Sequence, residues 1–439
     1  MSIEKNNLIR KPFQKIGLLT VALGFMAGLP LIAEAGPRET AQRIHNRLAG
    51  VPAAAGTAGS PGVLDIMTSC LSTNTTLCDS VASTLTSSSD GAVKAAYIAM
   101  EDDAFYNVTL KNFAAPWTNE AQSVFVPLDD YSATVIGMIR DDVDFRTVLS
   151  ADLVYIGSTT SPSYSNSDNL HYEAIEDSGV SLKTELTPIA QTALPGRGGI
   201  PAAGIMTTRA AARAFYIAGT NRAMLRFTML NHLCKDMEQL KDTTRPSDRI
   251  RQDVSRSPGG DSRIFNNSCV GCHAGMDPLA QAYAHYEWTY TAGQEDSGQL
   301  TYDTTSRPVD ANDPSLGTTA AQPKNLINPS NFSYGYITRD DSWTNYWRNG
   351  PNAILGWNGS QSSGQGASSM GAELANTSAF TSCQVRKVFQ NVCLRDPMGN
   401  AADRTKINQV VSTIGTGPVN MKSIFAEAAS YCKDGTAYQ

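Results

Sequence analysis

Charge is scarce in these 439 residues: Asp, Glu, Lys and Arg make up 17%, and acids outnumber bases by 41 to 35. The resulting net charge of −6 leaves no basic field along which a nucleic acid would track, so no nucleic-acid partner is expected. Histidine is scarcer still, with five in the chain, so a metal or cofactor site has few nitrogen ligands to draw on. Eight cysteines are too few for a disulfide-built miniprotein of this length. There is no internal repeat, and the only long apolar run is N-terminal. With a mean hydropathy of −0.24, that excludes a polytopic membrane protein. Glycine (35) and proline (21) are plentiful, which suits a loop-rich globular chain of two or three domains.

The N-terminus carries Lys5, Arg10, Lys11 and Lys15 ahead of an apolar stretch from Ile16 to Ala33, ending in Ala33-Glu34-Ala35 before Gly36. A cationic start, an apolar middle and an A-x-A exit predict a secretory signal peptide over 1–35. An uncleaved anchor is the alternative, and Gly17, Gly24, Gly28 and Pro30 fit it less well than they fit a signal. The mature protein is therefore expected in the periplasm, at the cell surface or outside the cell, with no membrane span left after cleavage. Disulfides persist there.

One peptide carries recognisable chemistry: Cys269-Val270-Gly271-Cys272-His273. Two thiols three apart reach the two vinyl groups of one haem as thioethers, and the next residue, His273, falls beneath the iron as axial ligand. Gly271 is expected to let the backbone approach the porphyrin edge. Three other readings compete. A thioredoxin-type dithiol needs a βαβ setting, which is not visible here. A zinc site needs a further Cys or His pair, but no His-x₃₋₅-His occurs. A plain disulfide between Cys269 and Cys272 leaves His273 unexplained. One covalent haem c is thus the expected cofactor, held by Cys269, Cys272 and His273. Beyond the motif, Asp277 is expected to cap a helix started by Pro278, with Leu279, Ala282, Tyr283 and Tyr286 on one face and His285 off it, at the surface.

The ligand on the far side of the iron is not fixed by the motif. Met370, in Gly366-Ala367-Ser368-Ser369-Met370-Gly371, reads as a thioether on a flexible small-residue loop and is the expected second iron ligand. Met398, between Pro397 and Gly399, and His232, in a helical run, are weaker candidates. Met276 is too close in sequence to reach round the ring and reads as a packing residue.

Among the remaining cysteines, Cys70 and Cys78 are expected to close a local loop. Cys383 and Cys393 lie ten apart on one expected helix, about 15 Å, too far for a mutual bridge. Two bridges among Cys234, Cys383, Cys393 and Cys432 would tie the C-terminal helices to the middle of the chain, and six cysteines leave the pairing open. Helices are expected over Glu39–Leu48, Val93–Phe113, Leu128–Arg140, Thr207–Ala218 and Asn221–Cys234, and again from Gly371 to Tyr431. Arg245–Gly260 reads as a linker. Thr289–Ser342 reads as a polar excursion with short strands, placed to shield a haem edge. The acid clusters Glu101-Asp102-Asp103 and Asp141-Asp142 read as solvated helix faces. The expected fold is mainly α, a helical cytochrome c-like haem region embedded in a larger loop-rich helical protein. Its expected divisions are an N-terminal helical domain over 36–157, a loop with a helical pair and linker over 158–262, and the haem-bearing region over 263–439.

Four segments together resemble a planctomycete-type family of large exported cytochromes c. Asp144–Asp152 is similar to its PFRELLTADY-like segment, and Ala203–Thr208 to its GLLT-type start. Cys269–Leu279 resembles its CASCHxxMDPLG signature, and Phe380–Lys387 its late FxxCxxxK helix. The resemblance implies a mostly helical haem protein and supplies no substrate. The expected function is one-electron transfer with an unidentified donor or acceptor protein. A haem enzyme with an open distal site, peroxidase- or oxygenase-like, and an envelope scaffold with structural haem are the alternatives.

Overall fold

The computed structural model describes residues 35–326 and 332–434; of the expected signal peptide only Ala35 falls among them. Helices form where apolar side chains recur at helical spacing and a polar group closes the first turn. Pro37–Ala49 starts on a proline, buries Ala41, Ile44 and Leu48, and stops at Gly50, whose φ of +75° a β-carbon would resist. Asp130–Arg140 is closed by a reciprocal pair: the Asp129 carboxylate accepts from Ser132 N–H at 2.8 Å, and the Ser132 hydroxyl accepts from Asp129 N–H at 3.0 Å.

The helix expected over Val93–Phe113 is interrupted. Gly91–Ala99 ends before the acid cluster, and a π-helical turn, Phe105–Leu110, resumes into Lys111–Ala114. The acids cause the break. Asp102 accepts from the backbone N–H of Ala104 at 2.8 Å, a local bond that competes with the helix ladder. Glu101 and Asp103 are tied outward to Lys183 and Ser181, so this cluster anchors a neighbouring segment rather than a free solvated face. In the middle of the chain Arg209–Phe215 and Arg222–Leu233 form the expected helical pair. Asn221, between them, does not cap: its amide donates to the carbonyls of Tyr283 and Tyr286 at 2.8 and 3.0 Å. Gly366–Ala375, Ser378–Cys393, Ala401–Ile414 and Met421–Cys432 make the C-terminal helical part.

Strands among the described residues form four two-stranded antiparallel pairs. Val154–Gly157 pairs Leu186–Ile189, and Tyr286–Thr289 pairs Gln299–Tyr302. Arg307–Pro308 pairs Thr318–Thr319, and Ser342–Thr344 pairs Ser363–Gln365. Three of these pairs draw on the polar excursion, as its composition suggested. The fold is mainly helical.

One hydrophobic core runs from Ala41 to Cys432 and takes residues from each of the expected divisions. The boundaries placed at 157 and 262 therefore fall inside a single core, in a unit that begins at Ala35. Nor is 245–260 a free linker. Arg251 is fully buried and donates to the carbonyl of Thr220 and the side-chain oxygen of Asn325. Disulfides join Cys70 to Cys78, Cys234 to Cys383 and Cys393 to Cys432, so both cysteines of helix Ser378–Cys393 bond to other elements.

Candidate functional site

The haem-type motif lies on a continuous helical run. Asp261 accepts from the backbone N–H of Arg263 to start Ser262–Ile264. The run then widens into a π-helical turn, Phe265–Cys269, and continues as Val270–Ala280. A π-turn inserts a residue into the ladder and re-aims the side chains around it, a feature concentrated at functional sites. Because the helix already includes the motif, Asp277 is not its cap. Asp277 and Pro278 both lie inside the helix and are buried, in place of the start expected there.

Helical geometry sorts the side chains of this run. Phe265 and Ala274 enter a small cluster with Ile250 and Val254, against which Cys269 and Val270 pack. Met276, Leu279 and Ala280 enter the main core. Cys269, Cys272 and His273, at i, i+3 and i+4, share a half-buried strip, with the His273 side chain 22% exposed. They are the two free cysteines of the chain, since the other six are in disulfides.

The glycines of the helix face protein. A β-carbon at Gly271 would meet the Lys241 side chain, and the Gly271 carbonyl accepts from Asp242 N–H at 2.9 Å. The room at Gly271 thus goes to the 241–243 segment, not to a porphyrin edge as expected. A β-carbon at Gly275 would lie 2.0 Å from Nε1 of the buried Trp347.

His273 is oriented through its inner nitrogen. Nδ1 lies 3.1 Å from Oδ1 of Asp277, whose side chain is fully buried. Asp277 is itself gripped. Arg222 donates from Nε to Oδ1 at 2.7 Å and from Nη2 to Oδ2 at 2.9 Å, a bidentate clamp, and Arg251 N–H donates to Oδ2 at 3.1 Å. Asp253 grips Arg222 from its other side, at 2.5 and 2.9 Å. Burial alone would push the Asp277 carboxyl up. Arg222, the His273 hydrogen bond and Arg251 outweigh it and hold the carboxyl well below the usual range. It is therefore an acceptor, and His273 Nδ1–H is the donor, which leaves Nε2 as the lone-pair nitrogen. Burial pushes Arg251 down to about 10, and neighbouring Arg222 adds to this.

The competing readings fare differently. Burial, with Glu238 nearby, pushes the Cys272 thiol up, whereas a thioredoxin-type nucleophile needs it lowered. Among the described residues no group of three or more His, Cys, Asp or Glu side chains stands in metal-holding geometry. No further ligands therefore join Cys269 and Cys272 as a tetrahedral zinc site requires. The donor set fits a covalently attached haem better: two unpaired thiols at thioether spacing and one imidazole whose inner nitrogen is held by Asp277.

Each of the other candidates stands in a setting of its own. Met370 is fully buried on helix Gly366–Ala375, so the expected flexible loop is a packed helix. Its small residues allow close approach to the chain near Leu149, where Ser368 donates to the Ser150 carbonyl at 2.8 Å. His232 is fully buried, stacked between Tyr131 and Phe380, with Nε2 2.9 Å from the Tyr131 hydroxyl. Met276 is a buried packing residue and Met398 is half exposed. His285, expected at the surface, is buried with Nδ1 2.9 Å from the Ala320 carbonyl. Residue 285 precedes a strand rather than continuing the helix, so the helical stripe did not apply.

Comparison with protein-family models, curated proteins and solved structures finds no match to this chain. Among the described residues no helix is long and apolar enough to cross a membrane.

Proposed function

We propose that the chain is an exported monohaem c-type cytochrome that passes single electrons, with haem joined to Cys269 and Cys272 and His273 as axial ligand. The observation that carries this reading is selective pairing. Six of eight cysteines are in disulfides, while the two at thioether spacing stay free beside an oriented histidine. Bound haem would supply one-electron chemistry at its iron. The chain's contribution is to anchor it covalently, to hold His273 in one tautomer and to leave a half-exposed strip for exchange with a partner protein.

The resemblance to the planctomycete-type cytochromes c has support in packing, because three of its four segments meet: Ile205 N–H donates to the Val148 carbonyl at 2.9 Å and Phe145 packs on Phe380. Tyr283, just beyond the fourth segment, donates to Met206 Sδ at 3.0 Å. Met370 is the proposed second ligand. Met370→Leu tests it, because leucine keeps the packing volume of the buried site. The near-infrared methionine-to-iron band of the oxidised protein is expected to vanish in this variant while the fold persists. A band unchanged in Met370→Leu would assign the second ligand elsewhere.

A haem enzyme is the second reading, favoured by one observation. His273 pairs with a buried carboxylate, which makes an axial imidazole a stronger donor. A high-spin oxidised spectrum that responds to cyanide or peroxide would favour the enzyme over the carrier.

A further inference from the structure

We infer that Asp277 is a positioning residue for the haem iron: through His273 it strengthens the axial ligand, favours the oxidised state and lowers the midpoint potential. The inference rests on the proposed haem attachment to Cys269, Cys272 and His273.

Three observations carry it. The contact is geometric: His273 Nδ1 to Asp277 Oδ1 is 3.1 Å, across one helical turn of the same run. The helix repeat brings residues i and i+4 to one face, so the motif and the carboxylate come as a unit. The carboxylate is then denied any other position. Arg222 holds both of its oxygens, the Arg251 backbone holds Oδ2, and Asp253 fixes Arg222 in turn. Such a clamp is more than a helix interior requires. Arg222 comes from the middle helical pair and Arg251 from the 245–260 segment, so two elements distant in sequence converge on the partner of one histidine. Lastly, the Asp277 side chain is fully buried. A hydrogen bond to a carboxylate is stronger there than in water.

The consequence for the iron follows from ligand basicity. A carboxylate accepting from Nδ1–H draws the proton away from the ring and enriches Nε2 in electron density. An electron-rich ligand stabilises ferric over ferrous iron, and the potential falls. A neutral acceptor in the same place gives a weaker donor and a higher potential.

The test compares wild type, Asp277→Asn and Asp253→Asn, produced with haem-maturation machinery. Covalent haem is measured by retention after acid-acetone extraction, and the midpoint potential by spectroelectrochemical titration. Asp277→Asn is expected to raise the potential by at least ~59 mV, a tenfold change in the ferric-to-ferrous binding ratio. Asp253→Asn, which loosens Arg222 without touching His273, is expected to move it much less. Equal potentials in wild type and Asp277→Asn, with haem bound in both, would overturn the role of Asp277 and leave the cytochrome reading standing. Wild type without covalent haem would overturn both. Should Asp277→Asn fail to fold, resonance Raman of the photolysed ferrous carbonyl adduct of wild type decides. A high iron–histidine stretching frequency, as a carboxylate-paired imidazole gives, is expected; the lower frequency of a carbonyl-paired histidine would overturn the inference.

Discussion

Replacing Gly275 by alanine sets two known effects against each other on the motif helix. In a helix interior alanine is more favourable than glycine by about 1 kcal/mol, so propensity alone makes Gly275→Ala stabilising. The added β-carbon would stand 2.0 Å from Trp347 Nε1, 2.5 Å from its Cε2 and 2.8 Å from its Cδ1. Carbon contacts are attractive only near 3.5–4.0 Å, so either the ring or the helix must shift by more than an ångström. Trp347 has little freedom to do so. It is fully buried, its N–H donates to the Asn345 side chain and its carbonyl accepts from Trp357 at 3.0 Å. Overpacking of this kind costs about 1–3 kcal/mol, and the rigid neighbour places it at the upper end. The net expectation is a loss of ~1–2 kcal/mol.

Gly271→Ala is the internal control on the same helix. Its β-carbon would stand 2.5 Å from Lys241 Cγ and 3.2 Å from Thr243 Cγ2, a milder clash than at Gly275, so a shift of the 241–243 segment is expected to leave stability within ~1 kcal/mol of wild type. Equilibrium unfolding in urea, followed by tryptophan fluorescence and far-ultraviolet circular dichroism, measures both. A Gly275→Ala protein as stable as wild type, or more stable, would refute the packing of Trp347 against this helix.

Two further outcomes follow from the fold. Cys234→Ala with Cys383→Ala removes a bridge between residues 149 apart and is expected to cost about 2–5 kcal/mol; thermal unfolding unaltered by the double substitution would count against this pairing. Burial, reinforced by Asp130, pushes the Asp129 carboxyl from 3.8 up to about 6. A raised folded-state acid binds its proton more tightly than the unfolded chain does, so stability falls as pH climbs from about 4 to about 6. Asp129→Asn keeps the helix cap and is expected to remove ~3 kcal/mol of that decline; a stability profile of unchanged slope would contradict it.

The parts legible in the sequence were those whose signal is local. The Cys269-to-His273 spacing is contiguous, and the apolar spacings of the helices expected over Glu39–Leu48 and Leu128–Arg140 are local too; they appear as Pro37–Ala49 and Asp130–Arg140. The disulfides were half legible, because helical rise separates Cys383 from Cys393 but does not choose their partners. Asp277 was misplaced because Asp-Pro reads as a helix start, whereas the helix had begun upstream through a π-turn. The i,i+4 relation of His273 and Asp277 was the available signal for its contact with the histidine. The clamp on it was not legible, since Arg222 and Arg251 reach Asp277 only through tertiary packing. Arg251 sat in a polar, Pro/Gly-punctuated stretch that resembles a linker, although its guanidinium is buried. Met370 reads as a loop residue because its neighbours are small. In the fold the same small residues let a helix pack closely against the Leu149 segment.

The central claim is covalent haem at Cys269 and Cys272, and its most direct measurement is the intact mass and the optical spectrum of exported protein after acid-acetone extraction. The account predicts a mass increase of one haem, retained through extraction and lost in Cys269→Ala with Cys272→Ala. A protein of bare polypeptide mass with no visible absorption, made where a known c-type cytochrome is matured in parallel, would contradict it.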